Sequence, residues 1–270
     1  LKIILVVSAR PNFMKVAPIL ALMKAREDVF SPVLVHTGQH YDADLSDVFF
    51  EDLDLPEAAH YLAVGSGSHA EMTAKTMMAF EPVLLEEKAD AVLVVGDVTG
   101  TLACALDAAK LHIAVAHVEA GLRSRDRKMP EEVNRVLTDA ISDFLLTPSR
   151  DADENLLSEG IPSERIHFVG NVMVDSLRRA EGALGRSTVL ADNGVSAGAF
   201  AYATMHRDFN VDVAESPARG LEVIERVQER LPVLFAVHPR TKARIARFGF
   251  DERLARMGNL KRLTPVGYVD

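Results

Sequence analysis

The chain has 270 residues, 48% hydrophobic and 26% charged, an ordinary globular balance with length for two domains. Its net charge of −9 argues against nucleic acid or an acidic membrane as partner, so an anionic substrate would need Arg, Lys and His clustered locally to reverse the field. The single cysteine, Cys104, excludes an internal disulfide and a Cys-based zinc site, and no apolar run approaches the ~18 residues of a membrane span, which points to a cytoplasmic enzyme.

Short β-branched runs alternate with helical patterns. Strands are expected at Lys2–Ser8, Val33–Thr37, Ala91–Gly96, Ile113–Val118, Phe144–Pro148 and Ile166–Val169. Helices are expected at Met14–Arg26, Asp44–Leu53, Ala70–Lys88, Thr101–Lys110, Glu131–Asp143, Asp151–Glu159 and Val172–Leu184. This alternation, with short connections, implies a parallel sheet covered on both faces. Around Gly185–Ala199 the pattern dissolves into Gly, Ser, Asn and Ala. A second alternation follows: strand Phe200–Met205, helix Pro217–Arg230, strand Val233–Val237, helix Thr241–Phe248 and strand Leu260–Pro265. The expected organisation is an α/β protein with a Rossmann-like domain over 1–184, a linker over 185–198 and a second, partial Rossmann-like domain over 199–270. That second domain reads as unfinished, because open sheets usually have ~4–6 strands.

Ligands bind outside the carboxyl ends of the strands in such sheets, so the residues at those ends are the candidates. The first strand runs into Arg10, Pro11, Asn12 and Lys15. Asn12 is placed to cap the next helix, and Arg10 and Lys15 flank a helix start that favours an anion, although a solvated turn accounts for them equally well. No Gly-x-Gly-x-x-Gly follows this strand, so no nicotinamide or flavin cofactor is expected. Asp97 follows the strand Ala91–Gly96 and reads either as an N-cap for the helix near Thr101 or as a general base. Cys104, among Leu102, Ala103, Ala105 and Leu106, reads as a small core residue.

The densest stretch is His117 to Arg135. A strand delivers His117 and Glu119 to its end, a charged loop follows, and Pro130 suits the first position of a helix. In that helix Val133, Val136, Leu137, Ala140, Ile141 and Phe144 form one apolar stripe, and Glu131 and Arg135 share the opposite face. Alone, that pair reads as a solvated ion pair. Together with Asp97 and Glu119, it gives three carboxylates whose acid strengths proximity can split, as proton transfer to and from carbon requires. Asn171 follows Gly170 at a further strand end. In the second half, His206-Arg207 and His238-Pro239-Arg240 each place His and Arg after a strand, a pairing that suits a diphosphate. The His spacings do not suggest a metal site.

In combination these motifs resemble the non-hydrolysing UDP-N-acetylglucosamine 2-epimerases. The resemblance rests on Arg10-Pro11 with Lys15, Thr37-Gly38-Gln39-His40, Gly96-Asp97, His117 to Arg123, Pro130 to Arg135, Gly170-Asn171 and His206-Arg207, in order along nearly the whole chain. It implies a glycosyltransferase-B-like fold of two Rossmann-like domains. It also implies interconversion of UDP-N-acetylglucosamine and UDP-N-acetylmannosamine, without metal or other cofactor, by a homodimer serving cell-envelope polysaccharide synthesis. In the family the proton beside the anomeric carbon is removed and UDP leaves, giving a glycal to which UDP adds back. By resemblance Lys15, Asp97, Glu119, Glu131 and His206 are the catalytic candidates. Arg10, Arg135, Arg207, Asn171 and His238 are the substrate-binding candidates.

Several departures from the family pattern stand out. The family's Ser-Gly-Gly and downstream Glu, which hold UDP, would lie beyond Asp270. Tyr41, Asp42 and Ser66 stand where members activated by a second substrate molecule carry other residues, so such activation is expected to be weak or missing. Phe209 replaces a usual Glu, and Gly100 a common Ser or Thr. The hydrolysing branch typically carries Gly-Asp-Arg where this chain has Gly96-Asp97-Val98, which argues against that branch. Relatives acting on a UDP-diacetamido-uronic acid share most of these motifs, and a nucleotide-sugar-binding fragment without turnover is the non-enzymatic alternative.

Overall fold

The computed structural model describes residues 1–38, 50–205, 215–263 and 267–269. Gln39, His40, Tyr41, Asp42, most of the expected helix Asp44–Leu53, His206, Arg207, Phe209 and the end of the expected strand Leu260–Pro265 lie outside the described residues. The chain divides into two compact units, Leu1–Glu181 and Gly182–Asp270.

The first unit is built on strands β1 (Lys2–Val7), β2 (Ser31–His36), β3 (His60–Tyr61), β4 (Ala91–Val95), β5 (Ala114–Val118), β6 (Phe144–Thr147) and β7 (Ile166–Phe168). They form one sheet in the order β3-β2-β1-β4-β5-β6-β7, and every pairing is parallel. Successive side chains in a strand point to opposite faces. Thus Ile4 and Val6 join Val35, Val92, Val94 and Val115 in one core layer, while Leu5 and Val7, equally buried, serve the other. Chain order reverses direction between β1 and β4, which makes their carboxyl ends the switch point where open sheets hold ligands.

Helices α1 (Arg10–Lys24), α2 (His69–Glu87), α3 (Thr99–Lys110), α4 (Pro130–Ile141), α5 (Arg150–Ser158) and α6 (Val172–Leu184) complete this unit, the last running across the division. On α3, Ala103, Cys104, Ala105 and Ala108 are fully buried, and small side chains let the helix lie close on the strands. Cys104 is the core residue expected from the sequence; burial pushes its thiol far up, away from any nucleophilic role. Helix α1 begins four residues earlier than the sequence suggests. Asn12 is therefore its third residue rather than its cap, and Oδ1 accepts from the backbone N–H of Ser8 and Ala9, at 3.0 Å each. Pro18 does not end the helix. The Met14 carbonyl that a residue 18 N–H would have met accepts instead from the Ser176 hydroxyl on α6.

The second unit contains α7 (Val189–Asp192), which lies inside the segment read as a linker, then β8 (Ala201–Met205), α8 (Glu215–Gln228), β9 (Val233–Val237), α9 (Pro239–Arg247), α10 (Asp251–Ala255) and β10 (Leu260–Leu263). Its sheet is parallel in the order β10-β9-β8, over a core of Leu221, Ile224, Val233, Phe235, Ile245, Leu254 and Met257. Among the described residues, no helix is long and apolar enough to cross a membrane.

One buried carboxyl stands apart from the apolar packing. Asp107 on α3 is 4% exposed, and its Oδ2 has no hydrogen-bond partner among the described residues. Burial, with the Glu81 carboxylate as a second cause, pushes its pKa up to about 6. A carboxyl raised on folding costs nothing while protonated in both states, below about pH 4, and costs stability in full above about pH 6. Asp107→Asn is therefore expected to raise the melting temperature at pH 8 and to leave it nearly unchanged at pH 4. A gain of equal size at both pH values would refute this account.

Candidate functional site

The site is assembled where β1, β4 and β5 end. Strand β4 runs out into Gly96, whose φ of +68° is open to glycine at little cost. A Cβ built on Gly96 would lie 3.1 Å from Lys15 Nζ and 3.5 Å from Glu119 Oε2, so the missing side chain leaves room for both groups. Strand β5 leaves the sheet through Glu119, a non-glycine residue at φ +71°, held by Glu119 and Ala120 N–H bonds to the Leu146 carbonyl at 3.0 and 3.2 Å. That backbone conformation costs of order 1 kcal/mol or more and turns the carboxylate across the strand ends toward α1. There Lys15 and Glu119 form an ion pair. Asn12 donates to the Val95 carbonyl at 3.0 Å, which fixes this turn of α1 against the end of β4.

A second ion pair forms at the residue that follows Gly96. Asp97 pairs with Arg135, which reaches over from α4. Asn134 donates to the Asp97 carbonyl at 2.8 Å. The helix α3 begins after Val98, and Asp97 makes no cap bond to it; the cap reading is replaced by the Arg135 pairing. The side chains of Asp97 and Glu119 are 30% and 26% exposed, open enough to meet a ligand, whereas those of Lys15 and Arg135 are 10% and 16% exposed. A recess lined by Lys15, Val118, Glu119, Pro148, Gly170 and Asn171 opens beside the first pair.

The helix α4 is turned differently from the sequence reading. Its buried side chains are Glu132, Thr138 and Asp139, while Val133, Leu137 and Phe144, from the expected core stripe, are 37–47% exposed. Arg135 accordingly pairs on its own helix with Glu132, at 2.9 Å, rather than with Glu131. Glu131 is half-buried and makes no hydrogen bond or ion pair among the described residues. Glu132 also accepts from the backbone N–H of Ser124 and Arg125 at 2.9 and 2.8 Å, tying the charged loop to the helix. Burial works to raise its pKa, but these two N–H bonds, the Ser124 side chain and Arg135 prevail and hold it at about 2.

Of the other residues singled out from the sequence, Arg10 opens α1, and Asn171 caps α6 by accepting from Met173 N–H at 3.0 Å while lining the recess. His238, in the second unit, caps α9 through a 3.3 Å bond from Arg240 N–H. The sequence reading missed Glu132, Asn134 and Asp139. For Glu132 and Asp139 the signal was a polar periodicity of 132, 135 and 139, one face of a helix, hidden beside a longer apolar stripe; Asn134 lies off that face.

Comparison with known proteins places these features. The sequence model of one family, described as UDP-N-acetylglucosamine 2-epimerase, matches residues 23–270. The UDP-N-acetylglucosamine 2-epimerase of Methanocaldococcus jannaschii is 42% identical over 282 residues, a match covering all of this chain and 75% of that protein. The UDP-2,3-diacetamido-2,3-dideoxy-D-glucuronate 2-epimerase of Pseudomonas aeruginosa is 40% identical over 280 residues, covering all of this chain and 74% of that protein. Among solved structures, the M. jannaschii epimerase in complex with UDP-GlcNAc and UDP superposes with a TM-score of 0.86 at 39% identity, over 100% of this chain and 75% of that one. The chain thus spans about three-quarters of the length of these relatives. It has the expected fold class, α/β with Rossmann-like units of the glycosyltransferase-B-like kind.

A carboxylate lowered on folding contributes stability above its unfolded pKa and loses it as pH falls toward the folded value. Glu132→Gln should therefore melt well below the parent at pH 7, and the gap should shrink as pH falls from about 4.5 toward about 2. Thermal melts across that range check this, and a gap independent of pH would contradict it.

Proposed function

Because this chain belongs to the UDP-N-acetylglucosamine 2-epimerase family, we propose that it interconverts UDP-N-acetylglucosamine and UDP-N-acetylmannosamine. The observation that carries the reading is the pair of half-open carboxylates, Asp97 and Glu119, each backed by a cation, at the ends of β4 and β5 next to Gly96. Inverting a carbon next to the anomeric centre requires a base on one face and an acid on the other. Two carboxylates on separate ion pairs meet that need. Removal of the proton beside the anomeric carbon expels UDP and leaves a glycal; UDP re-adds as a proton is delivered to the opposite face.

In this reading Lys15, Asp97, Glu119, Glu131 and His206 are the catalytic groups. Lys15 and Arg135 hold the carboxylates in place. Arg10, Asn171, Arg207 and His238 contact substrate. The assignments of His206 and Arg207 rest on the resemblance of their motif. No metal or other cofactor takes part in the steps proposed. The same reading makes the protein a cytoplasmic homodimer whose product, a nucleotide-activated amino sugar, supplies cell-envelope polysaccharide synthesis. Exposed apolar side chains on α2 and α4, Met78, Leu85 and Leu137 among them, support self-association.

A related substrate has specific support, since the P. aeruginosa relative named for a UDP-diacetamido-glucuronate, at 40% identity, stands beside the M. jannaschii relative named for UDP-N-acetylglucosamine, at 42%. Incubation with each UDP-sugar in deuterated water decides between them. The expected result is the 2-epimer of UDP-N-acetylglucosamine carrying one deuteron at the inverted carbon. Turnover of the diacetamido-uronate alone moves the assignment to that sugar, and binding of either sugar without epimer or exchange makes the protein a binding module. Glu119→Gln should lower kcat by about 10²–10⁴-fold, the usual contribution of a general acid or base. A smaller loss would remove Glu119 from the proton transfer.

A further inference from the structure

Beside the two half-open carboxylates lies a chain of charged groups that the proposed chemistry does not use. His117, on β5, is fully buried. Its Nε2 donates to the Gly96 carbonyl at 2.8 Å, and its Nδ1 lies 2.6 Å from Asp139 Oδ1. Both partners are acceptors, so the ring can satisfy them together only with a hydrogen at each nitrogen. Asp139, on α4, is 1% exposed and collects two more donors on Oδ2: Gly121 N–H at 3.1 Å and Arg123 Nη1 at 2.7 Å. Arg123 is itself buried and turns its other edge to Glu159 in a two-pronged pair at 2.8 and 2.6 Å. Burial works to raise the Asp139 pKa, but His117 and Arg123 outweigh it and hold it below the usual range.

The points this network grips adjoin the site. The Gly96 carbonyl is the peptide oxygen directly before Asp97, and Asn134 holds the carbonyl directly after it. His117 and Gly121 flank Glu119 by two residues on either side, and Glu119 is the residue held at positive φ. Gly121 packs closely on α5, where a Cβ would lie 2.5 Å from the Ala152 carbonyl, which leaves no room for a side chain. We infer that His117 and Asp139 are positioning residues: one buried hydrogen-bonded ion chain sets the backbone of Asp97 and of Glu119 together and so fixes the spacing of the two carboxylates. This inference rests on the epimerase reading for its catalytic consequence but not for its structural one.

The test compares His117→Gln, Asp139→Asn and Glu159→Gln in the full chain. The third cuts the same ion chain at its outer end, away from Gly96. Amide hydrogen exchange at Gly96 and residues 119–121 should speed up in the first two variants and not in the third, even where melting temperatures fall equally. In the kinetic assay His117→Gln and Asp139→Asn should lose roughly 10–100-fold in kcat with little change in KM, the scale of a small misplacement of reacting groups. They should also release free UDP and glycal, because a displaced acid fails to close the second half of the reaction. If Asp139→Asn does not fold, His117→Gln carries both measurements. Unchanged exchange at those amides in the first two variants overturns the proposal, as does a kcat loss in Glu159→Gln matching theirs. A parent protein that exchanges as described but makes no epimer would overturn the functional reading and leave the structural inference standing.

Discussion

The Asp139 carboxylate is the constraint on which the rest of the site depends. It is nearly inaccessible to water, it accepts from His117, Gly121 and Arg123, and through them it joins the ends of β4 and β5 to α4. A buried charge of this kind is expensive unless every lone pair is used, and here the donors come from the end of β5 and the loop that leaves it. Removing one partner from such an arrangement typically costs about 3–5 kcal/mol, because the others remain buried and unpaired. The geometry is therefore all-or-none: the strand ends, the loop after β5 and the helix take their places together.

This explains the unusual orientation of α4. A helix on a sheet normally turns its apolar stripe inward. Here Glu132, Thr138 and Asp139 face in, while Val133 and Leu137 face out. The inward face has polar work to do. Glu132 ties down the loop at Ser124 and Arg125, Asn134 and Arg135 hold the two ends of Asp97, and Asp139 holds His117. Most of the apolar contact on this face falls instead to α2 and α3, through Phe80, Val83 and Leu84 and through the run of small residues that lies flush on the strands. The adjoining helices divide the labour between packing and bracing.

That division also marks what was legible in the sequence. Every β-branched run became a strand, and the strand ends gave Lys15, Asp97, Glu119 and Asn171 their places, because a two-residue period and parallel order leave few alternatives. The two-residue β3 and the one-turn α7 escaped, being too short to show a period. The facing of α4 was not legible for a deeper reason. Periodicity gives the angle between apolar and polar faces but not which of them is buried. That choice depends on partners such as His117 and Gly96 that are distant in sequence. The same limit misread Asp97. Its neighbour in sequence is a helix start, but its neighbour in space is Arg135, and a guanidinium outcompetes backbone N–H groups that water can satisfy.

The charges of the first unit say which part of a nucleotide sugar they can serve. A chain of net charge −9 needs unpaired cations to gather an anionic ligand. Lys15 and Arg135, the cations at the ends of β4 and β5, are not free for that purpose: Lys15 pairs with Glu119, and Arg135 with both Asp97 and Glu132. Each cation is the more buried member of its pair with Glu119 or Asp97, so the surface that meets a ligand is the carboxylate edge. Such an edge is a poor match for a diphosphate, which would be repelled, and a good one for a neutral sugar ring whose carbon must lose and regain a proton. In the structure these two cations hold two carboxylates in place. The task of attracting phosphate then falls to residues other than these.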